Sequence, residues 1–294
     1  MRILSIKVES EMNDCSVKDV LSKYLYVSDS LRSKIKQRNG SICVNGCPVY
    51  TNFHLHTGDN LCVDVSDLSK NYNIAPKEYP LNILYENDDF LVIDKQAGIS
   101  VHPVKNSNEI TLENAIAYYF KDSNDNPHPV SRLDRGTTGI ITIAKSGWSH
   151  NLLKISQLNG SYKKKYLALC IGTPKLLSGT INAPIGYFPG SKYKRMVRTD
   201  GVSSVSEYTV LKTLNDISLI QLIPITGRTH QLRVHMAYIG HPLLGDWLYG
   251  QIDDRISRPA LHSSEVTFQD SYANKIYHFE APYPSDMSRI IKQP

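Results

Sequence analysis

An acidic residue between two arginines is the part of this sequence best suited to chemistry. Asp134 lies in the segment 129–139, Pro-Val-Ser-Arg-Leu-Asp-Arg-Gly-Thr-Thr-Gly, directly before the β-branched run 140–144. A carboxylate on a turn at the mouth of a buried strand, flanked by fixed positive charge, is expected to stay ionised and to act as a nucleophile or base. The same pattern is also typical of a surface salt-bridge cluster, so distant residues must decide between the two interpretations.

A lysine-rich segment before a tyrosine is the second candidate. Lys164 and Lys165 directly precede Tyr166, which begins the apolar stretch 166–171. Tyr166 offers an aromatic face for stacking a base and a phenol for proton transfer, while lysines neutralise phosphates. A tyrosine at the start of an apolar strand is also commonly a core residue, and that alternative stays open at this point.

The third candidate is the segment 224–246, which contains Thr-Gly-Arg-Thr-His-Gln-Leu-Arg and ends in Gly-Asp. Thr229 is predicted to cap a helix that ends at Gly240. Arg233 then projects from the first turn of this helix. Arg228 lies just before it, where the backbone amides of a helix N-terminus favour an anion.

The spacing of the possible ligands does not favour a metal site. Cys43, Cys47 and Cys62 lack a Cys-x-x-Cys pair and a fourth ligand. His230 and His235 are five residues apart, which places them about 140° apart around a helix. We therefore predict no metal and no other cofactor.

Composition indicates an ordinary globular protein. The chain has 294 residues, 41% of them hydrophobic and 21% charged, with a net charge of +5. This length predicts two domains, and the mild basic excess is compatible with a nucleic-acid partner. The sequence shows no signal peptide and no apolar run of membrane-spanning length. Five cysteines without framework spacing fit a reducing compartment, so we expect a cytoplasmic protein, and a monomer.

Residues 1–65 are predicted to form a small α/β unit. Apolar residues at helical spacing predict a helix over 17–26, and Ser28 offers an N-cap for a second helix. Lys34 and Lys36 make this second helix basic. Short strands with Asn-Gly and Gly-Asp turn signals complete the unit.

The rest of the chain is predicted to be one mixed α+β domain. Residues 66–80 are polar, contain prolines and have no period, so we interpret them as a linker. Short strands dominate residues 81–294, interrupted by helices predicted over 112–120 and 147–158. The expected fold is therefore α+β with a mainly antiparallel mixed sheet.

Several motifs, in their order along the chain, resemble the RluA-type RNA pseudouridine synthases. The resemblance covers roughly residues 81–284 and is carried by Arg-Leu-Asp at 132–134, Lys-Lys-Tyr-Leu-Ala-Leu at 164–169, Thr-Gly-Arg-Thr-His-Gln-Leu-Arg-Val-His at 226–235, Gly-His-Pro-Leu-Leu-Gly-Asp at 240–246 and Arg-Pro-Ala-Leu-His at 258–262. It favours a chemical role for Asp134 over a surface salt bridge. The chain departs from the family at Ser131, where histidine is usual; serine can hydrogen-bond but cannot stack or carry charge.

The N-terminal unit resembles the small RNA-binding module named after a small-subunit ribosomal protein, the S4-type domain. In that module the second helix and the following turn lie on structured RNA, so the resemblance implies that Lys34 and Lys36 contact RNA. The first helix lacks the arginine-rich start that is usual there. A generic α/β appendage is the alternative.

The resemblance implies isomerisation of uridine to pseudouridine in RNA. The base is detached from C1′, rotated and reattached through C5, without a cofactor. Asp134 is then the catalytic carboxylate, which attacks C1′ or removes a proton from C2′. Arg233 is expected to pair with it, ahead of Arg228. Tyr166 is expected to stack on the base and to help remove the C5 proton.

The target uracil must be flipped out of the RNA stack at a cost of a few kcal/mol. Arg132 is the candidate wedge that fills the vacated space. Further contacts to RNA in a central cleft are expected from basic residues, and apolar walls that exclude water from the strand 140–143, Ile225 and Leu232. The basic residues expected to bind RNA are Arg132, Arg228, Lys164, Lys165, Lys34 and Lys36.

Two other functions, RNA binding without catalysis and nucleoside hydrolysis, fit these residues less well. A catalytically silent RNA-binding or RNA-folding protein has no need of Asp134, Tyr166 and Arg233 together. A hydrolase acting on nucleosides would need a second carboxylate to activate water. We expect a structured RNA partner, ribosomal or transfer RNA, and no obligatory protein partner.

Overall fold

A computed structural model describes residues 2–67, 74–103 and 108–292 of the chain. Residues 68–73 of the predicted linker lie outside this set. The described residues form a four-stranded sheet, a ten-stranded sheet and a separate two-stranded hairpin. Within them, no helix is both long enough and apolar enough to cross a membrane.

The four-stranded sheet belongs to the N-terminal part of the chain, where two helices accompany it. Its elements are β1 (Ile3–Lys7), α1 (Val17–Lys23), α2 (Asp29–Lys36), β2 (Ile42–Val44), β3 (Cys47–Pro48) and β4 (Asn60–Asp64), with a 3-10 turn at Ser10–Met12. The strands are antiparallel in the order β1-β4-β2-β3. Ser28 caps α2, as predicted, by accepting a hydrogen bond from the Leu31 amide at 3.3 Å. Helix α1 ends before residue 26, because Tyr26 turns the chain with a positive φ of 53°.

Ten strands of the described chain form the large sheet, in the order β10-β13-β14-β9-β15-β8-β6-β5, with β16 paired to β15 and β7 to β8. In chain order the elements are β5 (Ile83–Glu86), β6 (Phe90–Lys95), α3 (Leu112–Tyr119), β7 (His128–Pro129), β8 (Thr138–Ala144), α4 (Gly147–Leu158), β9 (Lys163–Ile171), β10 (Ser178–Asn182), β11 (Ile185–Tyr187), β12 (Arg195–Val197), β13 (Val205–Leu214), β14 (Ile217–Pro224), α5 (Gln231–Tyr238), β15 (Leu261–Asp270), β16 (Lys275–Glu280) and α6 (Ser285–Lys292). Strands β11 and β12 form the separate hairpin. The predicted α+β class with a mainly antiparallel mixed sheet is confirmed.

Helix α5 begins later than predicted, so the expected N-cap at Thr229 is wrong. The helix starts at Gln231, and His230 occupies the capping position with left-handed backbone. The reason lies in the Gln231 side chain, whose amide oxygen accepts hydrogen bonds from Thr226 Oγ1 at 2.7 Å and from the Arg228 amide at 3.0 Å. These bonds hold the preceding loop in a non-helical conformation. The end of the helix before Gly240 and the place of Arg233 in the first turn agree with the prediction.

A parallel pair of strands at the middle of the large sheet fixes the turn that carries Asp134. Strand β8 runs parallel to β15, with His262 opposite Thr138 and Ser263 opposite Gly139. A Cβ atom at Gly139 would overlap the Ser263 backbone, and its φ is +103°. Glycine is therefore required here, because the close approach of the two strands leaves no room for a side chain.

Helix α4 joins the two sheets through a shared core. Its Trp148 is fully buried in the hydrophobic cluster of the N-terminal unit, together with Leu152. The Trp148 indole Nε1 donates a hydrogen bond to the Leu25 carbonyl at 2.8 Å, and the Arg2 guanidinium lies 5.3 Å from its ring centroid. The N-terminal unit is therefore packed on the large sheet through α4.

We predict that Trp148→Ala lowers the free energy of unfolding by about 3–5 kcal/mol, because it removes a large buried ring and its hydrogen bond. Chemical denaturation followed by circular dichroism measures this change. Trp247→Ala is the matched control, since the Trp247 side chain is 64% exposed. Equal effects of the two substitutions would contradict the shared core.

Candidate active site

A cleft of about 770 Å³ opens between the turn after β7, the start of β9 and the loop before α5. This volume lies within the range of ligand pockets. Its walls are formed mainly by residues 129–137 and 224–233. Five apolar residues of the lining belong to the central hydrophobic cluster: Val101, Leu133, Tyr166, Leu232 and Leu261.

The predicted apolar walls are partly wrong. Leu232 and Ile225 line the cleft as expected, although Ile225 is 58% exposed. The strand residues 140–143 are instead fully buried in the sheet, where they pack behind the cleft. The β-branched residues 140–143 therefore do not form a wall of the cleft; they lie in the sheet beneath it.

Asp134 lies on a tight turn, and a buried lysine donates hydrogen bonds to the backbone of this turn and of the neighbouring loop. The Asp134 carbonyl accepts the Thr137 amide at 3.0 Å. Lys95, 1% exposed, donates from Nζ to the carbonyls of Gln96 at 2.9 Å, Ile99 at 3.0 Å and Arg135 at 3.4 Å. Burial lowers the pKa of Lys95 to about 8, an effect that the nearby Asp134 carboxylate opposes. The segment 94–103 thus supports the turn.

A buried arginine also donates a hydrogen bond to the backbone of this turn. Arg258 donates from Nη1 to the Gly136 carbonyl at 3.1 Å. Its Nε and Nη2 atoms form a two-point contact with Asp286 at 2.7 and 2.9 Å, which fixes the plane of the guanidinium. The Arg-Pro-Ala-Leu-His segment therefore positions the backbone under Asp134, a role that its sequence alone does not reveal.

Arg233 contacts Asp134, but its principal partner is a residue that the sequence reasoning gave no role. Asp246, fully buried, accepts Arg233 Nε at 2.7 Å and Nη2 at 2.8 Å. The remaining nitrogen, Nη1, lies 3.4 Å from Asp134 Oδ2. Burial disfavours the charge of Arg233, yet its hydrogen bonds with Asp246 raise its pKa. The guanidinium is therefore a fixed cation beside Asp134.

Two more predicted residues line the cleft. Tyr166 is 6% exposed, and burial raises the pKa of its phenol, an effect to which the charge of Asp134 adds. Lys164 lies 5.5 Å from the ring centroid of Tyr162, and burial lowers its pKa to about 8. Both side chains therefore stand within one pocket with Asp134.

The predicted RNA-binding residues divide into two groups. Arg132 and Arg228 line the cleft, and Arg132 Nη2 lies 3.4 Å from the Thr229 hydroxyl. Lys165 does not line it; its Nζ is paired with Glu265 at 2.7 Å. The two lysines of α2, Lys34 and Lys36, are exposed on the N-terminal unit, away from the cleft lining.

His230 and Tyr249 are further residues of the site that the sequence reasoning missed. His230 Nε2 lies 3.9 Å from Asp134 Oδ2, and its Nδ1 lies 2.8 Å from the Tyr249 hydroxyl. The Tyr249 ring centroid is 5.0 Å from the Arg233 guanidinium carbon. A histidine directly after Gly-Arg-Thr was a usable signal, but it was considered only as a metal ligand.

Among the described residues, one group of side chains brings potential metal-ligating atoms within 4.8 Å of one another: Glu265, His278 and Glu280. These residues lie on β15 and β16 and do not line the cleft. Glu265 is already paired with Lys165. The group has no connection with the site around Asp134.

Comparison with known proteins identifies the class of this fold and cleft. The family model for RNA pseudouridylate synthases matches residues 89–238. Among solved structures, human RNA Pseudouridylate Synthase Domain Containing 1 is similar with a TM-score of 0.58 and 26% identity, covering 69% of this chain and 83% of that one. The architecture is thus that of a pseudouridine synthase.

Similarity to RNA pseudouridine synthases of known sequence extends along most of the chain. It is 37% identical over 270 residues to the uncharacterized RNA pseudouridine synthase YjbO of Bacillus subtilis, covering 91% of this chain and 95% of that protein. It is 32% identical over 281 residues to ribosomal large subunit pseudouridine synthase D of Xanthomonas campestris pv. campestris, covering 88% and 83%. The chain belongs to the RNA pseudouridine synthase family, of the RluA type. The predicted family and enzyme class are confirmed.

We predict that Asp246→Asn lowers the free energy of unfolding by about 3–5 kcal/mol, because it removes the principal, fully buried counter-charge of Arg233 and leaves only the longer contact with Asp134. Denaturant titration measures the loss. Asp216→Asn is the matched control. Asp216 also forms a two-point contact with an arginine, accepting Arg255 Nη1 at 2.9 Å and Nη2 at 2.8 Å, but its side chain is 62% exposed. The control should change stability by less than about 1 kcal/mol, and a loss for Asp246→Asn no larger than this would contradict the assignment.

Proposed function

We propose that Asp134 is the catalytic carboxylate and that the cleft receives a single uridine flipped out of RNA. The observation that carries this proposal is the charge of the lining. Among the described residues that line the cleft, Asp134 is the one carboxylate, and it is surrounded by cationic side chains. These are Arg132, Arg135, Lys164, Arg228 and Arg233. Such a lining attracts the phosphates of an RNA strand and leaves one anion to act on the ribose.

The contacts of Asp134 support a role in which one oxygen is held and the other reacts. Arg233 Nη1 and His230 Nε2 both approach Oδ2, at 3.4 and 3.9 Å. No described side chain forms a hydrogen bond with Oδ1. Oδ1 is therefore free to attack C1′ of the uridine or to remove the proton from C2′.

The reaction requires no exchange of groups with a second substrate. The bond between C1′ and N1 breaks, the uracil turns within the cleft, and a bond forms between C1′ and C5. The proton on C5 then leaves and N1 takes up a proton, so that the product is an isomer of uridine. Tyr166, at the apolar floor, is suited to stack on the detached base and to assist the departure of this proton.

The lining also separates this function from the two alternatives. A glycoside hydrolase uses two carboxylates, one of which activates water or protonates the leaving group. The described lining offers Asp134 alone. A silent RNA-binding protein gains nothing from burying Arg233 and Asp246 to hold a carboxylate in a cleft that attracts phosphates.

We infer that the RNA extends beyond the cleft along two neighbouring surfaces. Helix α2 is one of them, because it belongs to the unit that packs on α4, and the ring of His150 on α4 lies 5.7 Å from the ring of His128, the neighbour of Pro129 in the cleft lining. This supports residues 1–65 as an S4-type unit that contacts the same RNA molecule. The large sheet begins with β5 (Ile83–Glu86), which supports a catalytic domain that starts near residue 81.

The second surface is the hairpin of β11 and β12, which the sequence reasoning overlooked. Its residues 187–195 include three aromatic and three basic side chains, and Tyr187 and Tyr193 are 56% and 76% exposed. Arg195 stacks 3.3 Å from the Tyr187 ring centroid. Aromatic and cationic groups presented together suit single-stranded RNA, since bases stack on rings and phosphates pair with cations.

We propose uridines of large-subunit ribosomal RNA as the substrate class, with transfer RNA as the alternative. The support is the similarity to ribosomal large subunit pseudouridine synthase D of Xanthomonas campestris. We propose further that the enzyme acts as a monomer in the cytoplasm, where its five cysteines would remain reduced.

We predict that Asp134→Asn lowers turnover by at least about 10⁴-fold, as expected for loss of the group that acts on the substrate. Release of tritium from RNA labelled at C5 of uridine measures the reaction. RNA affinity should not weaken, because removing a negative charge from a cationic cleft does not reduce its attraction for phosphates. Asp88→Asn, whose carboxylate is 90% exposed, is the control and should keep full activity.

The same assay separates the enzyme mechanism from the substrate class. Transcripts of large-subunit ribosomal RNA and of transfer RNA are tested in parallel. Activity of Asp134→Asn on either RNA would disprove the assignment of Asp134. Tritium release from transfer RNA alone would disprove the ribosomal substrate and leave the role of Asp134 intact.

We predict that the double variant Lys34→Ala and Lys36→Ala weakens RNA binding and lowers the slope of log Kd against log salt concentration by up to about 2. The physical reason is the loss of two phosphate contacts and the counterions that they release. Filter binding at several salt concentrations measures the slope. Lys18→Ala with Lys23→Ala, on α1 of the same unit, is the control; an equal change in that variant would show that α2 has no special role.

A further inference from the structure

His230 has a backbone conformation that side chains seldom adopt. Its φ and ψ are 57° and 17°, in the left-handed region, at the residue directly before α5. Residues kept in this region tend to occur at functional sites, where the surrounding structure holds them in place. Here the Gln231 side chain holds the preceding loop, and the His230 imidazole lines the cleft beside Asp134.

A short hydrogen-bond chain favours one of the two ring nitrogens of His230 as the carrier of its proton. The Tyr249 oxygen accepts the Arg195 backbone N–H at 2.9 Å. The hydroxyl hydrogen of Tyr249 is then available to donate, and His230 Nδ1 lies 2.8 Å away. A ring nitrogen that accepts a hydrogen bond carries no proton in the neutral imidazole, so the proton resides on Nε2. Burial, the main cause, lowers the pKa of His230 and thus favours this neutral form.

We propose that His230 is a positioning residue for Asp134, held by Tyr249 as the tautomer that carries its proton on Nε2. The inference rests on the proposed function, because His230 acts through Asp134. Its Nε2–H points to the oxygen Oδ2 that Arg233 also approaches. Two donors on one oxygen fix the direction of the carboxylate and leave Oδ1 for the ribose.

The present distance fits a contact that closes when RNA binds. Nε2 and Oδ2 are 3.9 Å apart, about 1 Å longer than a hydrogen bond. Catalytic hydrogen bonds are often long in the absence of substrate and shorten in the complex. The hairpin takes part in this arrangement, since the Arg195 amide of β12 orients the Tyr249 hydroxyl. Tyr249 is therefore a second positioning residue, one step further from Asp134.

The test uses the full chain and a large-subunit ribosomal RNA transcript labelled with tritium at C5 of uridine. The single-turnover rate of tritium release and the RNA affinity are measured for His230→Asn, His230→Gln and Tyr249→Phe. His230→Asn should lower the rate about 10- to 100-fold at unchanged affinity, as expected for loss of a hydrogen bond to a charged group. Asparagine tolerates left-handed backbone, so the loss would not arise from strain.

Glutamine provides the rescue, because its amide nitrogen reaches nearly the position of Nε2, whereas that of asparagine does not. His230→Gln should therefore recover most of the rate. Tyr249→Phe, which removes the hydroxyl alone, should lower the rate in the same direction. Tyr238→Phe, at the last residue of α5, is its control and should leave the rate unchanged, because Tyr238 is 61% exposed and lies outside the cleft lining.

Each outcome bears on the proposal. A wild-type rate for His230→Asn, or equal losses for the asparagine and glutamine variants, would overturn the role of His230 as an Nε2–H donor. A wild-type rate for Tyr249→Phe would overturn the role of Tyr249. Weakened RNA affinity with an unchanged rate on saturating enzyme would show that His230 binds RNA instead. Failure of the proposed function is recognised separately, by activity of Asp134→Asn.

Discussion

The cleft depends on the buried ion pair between Arg233 and Asp246. Asp246 takes two nitrogens of the guanidinium and fixes its plane, so that the third nitrogen meets Asp134 at a longer distance. If Asp246 were absent, Asp134 would be the natural acceptor for the two-point contact, and both of its oxygens would be occupied. The buried partner thus lets Arg233 stabilise the charge of Asp134 through one oxygen without occupying the other.

A second constraint acts on the backbone that carries Asp134. Lys95 and Arg258, both buried, donate to two consecutive carbonyl oxygens of the turn, those of Arg135 and Gly136. Burying a cation is costly unless its donors are satisfied. Lys95 is satisfied largely by carbonyls of the loop after β6, and Arg258 by Asp286 of α6. The position of a single carboxylate therefore depends on segments more than a hundred residues apart in sequence, which only the complete fold brings together.

Because these contacts join segments that are distant in sequence, the sequence predicted the elements of the fold better than the contacts between them. The antiparallel α+β class, α4 and the contact between Asp134 and Arg233 followed from periodicity, capping signals and motifs. Asp246 ends the motif Gly-His-Pro-Leu-Leu-Gly-Asp. An acidic residue in a loop belongs to no periodic pattern, however, so the sequence does not show which residue it pairs with. The predicted cap at Thr229 is wrong because the Gln231 side chain forms hydrogen bonds with the loop before the helix. That contact depends on the tertiary structure.

The two walls of the cleft continue into surfaces of different kinds, and this bears on how RNA is recognised. The wall 129–137 adjoins α4, which packs on the N-terminal unit, because the ring of His128 lies 5.7 Å from the ring of His150. The wall 224–233 adjoins the β11–β12 hairpin through Tyr249. Cations and rings of this kind read phosphates and base faces, which are common to all sequences. Under the proposed function, the choice of a particular uridine comes from the shape of the RNA, because an RNA fold that engages both surfaces at once would present one nucleotide to Asp134.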